Sequence, residues 1–174
     1  MSKWQRIALT ATLIATAGGV AFAGAAANAK PATIQPDNIR VVKTFLRDVL
    51  DGHHGDHAAN YLTKDAQFHA GTVGDFTGRA TVAGVLAGIV AAIPDLHASV
   101  QDIFGHGDEV VVRLVVTGTQ EGPLLGIPAT GRHLQWDAID LYRLKGGEIS
   151  QEWASEDLTA ILNGTGTFKA PWIP

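Results

Sequence analysis

The chain of 174 residues has no cysteine. That excludes disulfides, thiol nucleophiles and thiolate metal sites together. Basic side chains are few, 13 Lys and Arg against 17 Asp and Glu, and they form no run or stripe. Nothing here would build a surface for nucleic acid or anionic lipid. The G-x-S-x-G elbow, the P-loop, G-x-G-x-x-G and H-E-x-x-H are all missing. Serine hydrolysis from an elbow, P-loop phosphate binding, dinucleotide binding and the zinc-protease helix therefore lack their residues. There is no internal repeat and no sign of a second domain.

A long apolar run occurs at the start, from Ile7 to Ala23. Lys3 and Arg6 precede it, and small residues follow, ending in Ala27-Asn28-Ala29. That order predicts a secretory signal peptide over 1–29, cut after Ala23 or Ala29, and a periplasmic or secreted product free of the membrane after cleavage. At about 17 residues, diluted by Gly and Thr, the run is at the lower limit for spanning a bilayer. Without Lys3 and Arg6, 11 basic side chains face 17 acidic ones, a net charge of −6. Residues 30–36 carry two prolines and no periodicity, and read as a flexible lead-in. Residues 37–164 are expected to form one domain, with 165–174 as an apolar tail.

Within that domain the hydrophobic period changes once. Ile39, Val42, Phe45, Leu46, Val49 and Leu50 recur at helical spacing after the candidate cap Asp37, and Gly52 supplies a stop. A short helix should follow Asp56, and a short strand should cover 64–71. Val82, Val85, Leu86, Ile89, Val90 and Ile93 form the stripe of a long helix over 77–95, ended by Pro94. From there the period is two, predicting strands over 96–107, 108–122, 131–147 and 148–157, then a helical turn at 158–164. Helices first and long antiparallel strands afterwards imply an α+β fold with helices on one face of a curved sheet.

The stretch Leu50 to Leu62 places His53, His54 and His57 around Gly55 and Asp56, three of the chain's seven histidines. Its position between two helices favours a turn over a metal centre. Adjacent histidines in a turn converge poorly, and the loop offers few groups to orient them. No metal is expected there.

Several segments together resemble the SnoaL-like polyketide cyclases of the nuclear transport factor 2-like superfamily. They are "GIPATGR" (126–132) after Gly122, "DLYRLKGGEISQEW" (140–153) and "IPDLHASVQDIFGHGDEVVVRLVVTGTQEG" (93–122). The similarity covers about residues 37–164. It implies a cone-shaped α+β barrel, a curved antiparallel sheet wrapped around a long helix, and a homodimer formed through the outer sheet face. It also implies an apolar pocket that closes a ring by intramolecular aldol chemistry without metal or cofactor. Carried over by position, the family's strand histidine falls on Asp140, its acid/base aspartate on Ala154, and its asparagine near Phe68–His69.

On a strand, Trp136, Ala138, Asp140, Tyr142 and Leu144 share one face. A carboxylate among those rings should be desolvated and its pKa raised, which suits general acid–base work near neutral pH. Asp140 is thus the candidate proton carrier; the alternative is a structural carboxylate bonded to Tyr142, a backbone amide or His69. His69 is the candidate helper, paired with Asp140 or holding a ligand carbonyl, or else a wall histidine. Glu152 and Glu156 could replace the carboxylate absent at Ala154 if a bulge shifts the register; otherwise they are rim charges. Trp136, Tyr142 and Trp153 are candidate ring-stacking walls, and Leu125 belongs to an apolar loop over the pocket or at a dimer contact. Arg113 and Arg132 read as surface or interface ion pairs.

The expected activity is cofactor-free aldol cyclisation, isomerisation or dehydration of a small hydrophobic, cyclic or polyketide-like molecule. A carrier with the same pocket and a dimeric interaction module are the alternatives.

Overall fold

The computed structural model describes residues 36–172. The leader expected over 1–29 lies outside the described residues, as does the lead-in except for Pro36, which opens the first helix. Among the described residues, no helix is long and apolar enough to cross a membrane.

Helix α1 (Pro36–Phe45) begins one residue before the expected cap and runs into a π-helical turn, Leu46–Asp51. Val42, Phe45, Leu46 and Val49 are buried, as their spacing predicts. Gly52 follows with an ordinary φ of −79°. What it provides is room, since a Cβ there would sit 2.5 Å from the Asp48 carbonyl oxygen. His53, at φ 57°, makes the left-handed turn instead. The expected short helix after Asp56 is a 3-10 helix, Gly55–Tyr61.

Strand β1 (Leu62–His69) leads through a 3-10 turn into β2 (Asp75–Thr77), a three-residue strand too short to show a period in the sequence. Helix α2 (Arg79–Ala92) is followed by β3 (His97–His106), β4 (Glu109–Thr119), β5 (His133–Lys145), β6 (Glu148–Glu156) and α3 (Leu158–Thr165). Asp157 caps α3, accepting the Ala160 amide at 2.9 Å.

The six strands form one sheet in the order β2-β1-β6-β5-β4-β3. Most neighbours are antiparallel, as expected. β1 and β6 differ by running parallel, because the chain leaves β1 through β2 and α2 and returns along three hairpin-linked strands. The sheet is open, with β2 and β3 as its edges, so the expected barrel is a curved sheet that does not close.

β4 and β5 alternate strictly. Val110, Val112, Leu114 and Val116 of β4, and Leu134, Trp136, Ala138, Tyr142 and Leu144 of β5, all face the core. Each large side chain buried this way stabilises the fold by about 1.5–3 kcal/mol. Phe45 of α1 meets Tyr61 and Tyr142 edge-on, at centroid distances of 5.6 and 6.0 Å. α2 buries Val82, Leu86 and Val90 and leaves Val85 and Ile89 half-buried. Ala170 in the tail is fully buried, whereas Phe168 and Trp172 are exposed.

Candidate active site

The site is set by strand parity. β5 presents Trp136, Ala138, Asp140 and Tyr142 to the inside. Their partners across β6 are Glu156 for Ala138, Ala154 for Asp140 and Glu152 for Tyr142. Phe68 of β1 lies opposite Glu152. Three carboxyls, Asp140, Glu152 and Glu156, therefore share one inner face with no bulge among them. The register shift between β5 and β6 lies further along, at Arg143/Leu144.

These carboxyls are short of partners. Asp140 is 3% exposed and Glu152 is 5% exposed. Asp140 accepts the Ser155 amide, and the Tyr142 hydroxyl donates to its Oδ2 at a long 3.4 Å. Asp140 Oδ1 and Glu152 Oε2 have no hydrogen-bond partner. Glu156 accepts the indole N–H of Trp136. Burial pushes the Asp140 carboxyl well above the usual range, and the charges of Glu156 and Glu152 push it further. Burial also lifts Glu152 to about 8, against a lowering hydrogen bond from Tyr142 and with a further rise from Glu156. Glu156 is raised by burial and lowered in part by Trp136. Asp140 and Glu152 therefore keep protons where solvated carboxylates lose them.

A cavity of about 400 Å³ opens beside this row. Val85, Gly88 and Ile89 of α2 form one wall, Phe68 of β1 and Leu158 of α3 others, and Leu124 and Leu125 overhang it. Trp136, Ala154 and Glu156 line the sheet side. Of the lining residues, Glu156 alone carries a titratable group. Asp140, Tyr142 and Glu152 are not among the lining residues, but Ala154 is, and it is the partner of Asp140 across the strands.

Two expected site residues lie elsewhere. Phe68 faces inward, so His69 faces outward, and β6 places Trp153 beside it. Their rings stack at 5.1 Å, with the Arg143 guanidinium 5.0 Å from the Trp153 ring centre. His69 Nδ1 is 2.8 Å from Asp75 Oδ1, so its partner is Asp75 rather than Asp140. Neither His69 nor Trp153 lines the cavity. Arg113 pairs with Asp102 at 2.7 Å, the surface ion pair its position predicts. The turn histidines also differ from expectation, since His54 and His57 stack on one another beside Asp48.

The sequence profile of the SnoaL-like polyketide cyclases matches residues 40–164. The chain belongs to that family. Solved structures agree in fold. TsrD of Streptomyces laurentii superposes with a TM-score of 0.68 at 22% identity, covering 78% of this chain and 99% of that one. A candidate SnoaL-like cyclase of Jannaschia sp. CCS1 gives 0.66 at 25% identity, with 79% and 96% covered. IdmH of Streptomyces antibioticus gives 0.61 at 28% identity, with 74% and 98% covered. No curated protein matches the chain by sequence.

In this SnoaL-like chain the "GIPATGR" loop is held by a residue the motif reading passes over. Gln120 is fully buried at the end of β4. Its amide nitrogen faces the carbonyls of Gly122, Ile127 and Pro128 at 3.1–3.2 Å, and the Thr130 hydroxyl donates to its Oε1 at 2.6 Å. Leu124 and Ile127 exchange backbone hydrogen bonds, and Leu125 sits between them at φ 52°. Gly122 rests against the end of α2, where a Cβ would meet the Ala92 Cα at 2.9 Å. The loop over the pocket is thus pinned at both ends. A buried glutamine just before a Gly-Pro turn is the signal that could have found it.

Proposed function

We propose that this SnoaL-like chain binds a small, mainly apolar cyclic or polyketide-like molecule and transforms it by cofactor-free acid–base chemistry such as aldol closure, isomerisation or dehydration. The observation that carries this reading is the Glu156 carboxyl in the wall of an apolar cavity, with the buried carboxyls of Asp140 and Glu152 on the same sheet face. Glu156, desolvated yet open to the cavity, takes a proton from a carbon next to a substrate carbonyl. Asp140 is the acid. Its Oδ1 lacks a partner, and its neighbour toward the cavity is the short side chain of Ala154. A substrate oxygen seated over Ala154 receives its hydrogen bond as negative charge develops there. Trp136 orients Glu156 through its N–H, and Tyr142 links Asp140 to Glu152.

Thermal-shift screening against cyclic ketones and other apolar ring compounds should yield a stabilising ligand for wild type. With that compound, E156Q and D140N should each lower turnover by about 10²-fold or more while keeping the fold. Turnover unchanged in both variants would remove the acid–base reading. Ala154, at the position where the family's acid/base aspartate falls, favours a second reading, a binding protein without turnover. There the ligand would stabilise wild type and both variants alike, and no product would form.

A homodimer through the outer sheet face belongs to the same proposal. Phe104, Val111, Leu141 and Trp153 make a continuous row across β3, β4, β5 and β6 on that face. Phe104 is 61% exposed and nearby Ile139 is 53% exposed, an apolar surface of the kind that marks association sites. Sedimentation should show a dimer for wild type and a monomer for the F104E/I139E double variant. A wild-type monomer would count against it.

A further inference from the structure

The histidine-rich turn carries a second site, away from the cavity. We propose that Asp48, His54 and His57 bind a divalent transition metal ion of the borderline class, zinc, cobalt, nickel or copper. One ligand atom from each of these residues lies within 4.8 Å of the other two. The three residues come from different pieces of backbone. Asp48 is on the π-helical turn after α1, His54 follows the reversal, and His57 is on the 3-10 helix. The reversal brings them together. Gly52 lets the chain pass close over the Asp48 carbonyl, and the left-handed His53 turns it back. His53 itself is occupied elsewhere, with Nε2 2.8 Å from the Leu96 carbonyl.

The spacing of Asp48 and His57 fits two ligands of one ion, and His54 is near enough to complete the set by a side-chain rotation. His57 Nδ1 is 3.2 Å from both oxygens of Asp48. That is long for a charge-assisted hydrogen bond, which prefers about 2.7–2.9 Å. It is close to the roughly 3.0–3.4 Å that separates two ligands bonded to one ion at about 2.0–2.2 Å. The His54 and His57 rings stack at 4.7 Å with 21° between their planes, so neutral imidazoles can present nitrogens along one edge. Two imidazoles and a carboxylate suit the borderline divalent ions better than calcium or magnesium.

The set also has an orienting partner. The Tyr61 hydroxyl donates to Asp48 Oδ2 at 2.7 Å, the outer-shell support that metal-binding carboxylates usually have. Tyr61 in turn packs on Phe45. His54 is exposed, which leaves a side open for water or a further ligand. An ion held here would tie the end of α1 to the segment that leads into β1.

Isothermal titration of the whole chain, without an affinity tag, against zinc and nickel ions tests the site. Saturable one-to-one binding in the micromolar range is expected. H54A and H57A should each weaken it at least tenfold, and H97A, whose ring pairs with Asp51 on the far side of the turn, should leave it unchanged. Nickel should broaden the imidazole signals of His54 and His57 in nuclear magnetic resonance spectra and spare those of His106 and His133. Y61F should weaken binding by a smaller factor. No saturable binding below about 100 µM, on a scale where 1 mM is worth only about 4 kcal/mol, would overturn the proposal. So would binding that persists in the H54A/H57A double variant with its fold intact by circular dichroism.

Discussion

Between pH 5 and pH 8 the melting temperature of the domain should fall by on the order of 10 °C, and E152Q should remove much of that fall. Glu152 is held near pKa 8 in the folded chain, mainly by burial, against an ordinary 4.5. Between those values the folded protein keeps a proton that the unfolded chain releases. Glu152 therefore favours folding most below pH 4.5. That contribution declines as pH rises and is gone above about 8. Each tenfold difference in proton affinity is worth about 1.4 kcal/mol, so the swing is on the order of several kcal/mol. Asp140 and Glu156 are raised as well and act in the same direction. Asp48 and Asp95 are held low, chiefly by the Tyr61 hydroxyl and the Thr119 amide; their contribution is lost below about pH 4, outside this window. Glutamine at 152 is neutral at every pH and so flattens the slope. Melting curves from pH 5 to 8 on both proteins decide the matter. A wild-type curve that is level or rises would show that the three carboxyls are solvated.

Q120A should cost on the order of 3–5 kcal/mol in unfolding free energy, more than most single substitutions. The substitution removes the shared partner of three carbonyls and one hydroxyl and leaves a cavity where the fully buried Gln120 side chain was. The part-buried carbonyls lose their bonds and regain solvent only in part, which adds to the loss of packing. T130V removes a single hydrogen bond to the same side chain and should cost about 1 kcal/mol. The loop over the cavity should loosen with Gln120, so amide exchange at Leu124 to Ile127 should quicken in Q120A more than in T130V. Urea unfolding that places Q120A within 1 kcal/mol of wild type would mean that the loop is held by something else.

The inner face of β5 could be read from its sequence, because a period of two over 13 residues leaves only two faces to choose from. The family frame and the stripe of α2 were legible for similar reasons. Glu152 and Glu156 were harder. Their alternation with Ala154 puts them inside, but carboxylates are so rarely buried that the rim is the first place to put them. His69 and Trp153 show the reverse error. Aromatic rings look like cavity walls, yet the parity of β1 relative to β6 depends on a parallel pairing between strands more than 80 residues apart. The meeting of Asp48 with His54 and His57 depends on a π turn and a left-handed histidine, and neither leaves a mark in hydrophobic spacing. Leu125 and Trp136 do line the cavity, the one through the apolar loop and the other through strand parity.

The parallel contact of β1 with β6 also decides when this molecule can become itself. A nascent chain still on the ribosome holds the residues of β1 to β5 and of both long helices before residue 148 exists. Until β6 arrives, β1 has only the three-residue β2 beside it, and the cavity lacks Ala154, Ser155 and Glu156 from its lining. Such distant pairings form late and slowly, because a long loop must close before any contact rewards it. The polypeptide therefore commits to its final shape only when its last strand docks.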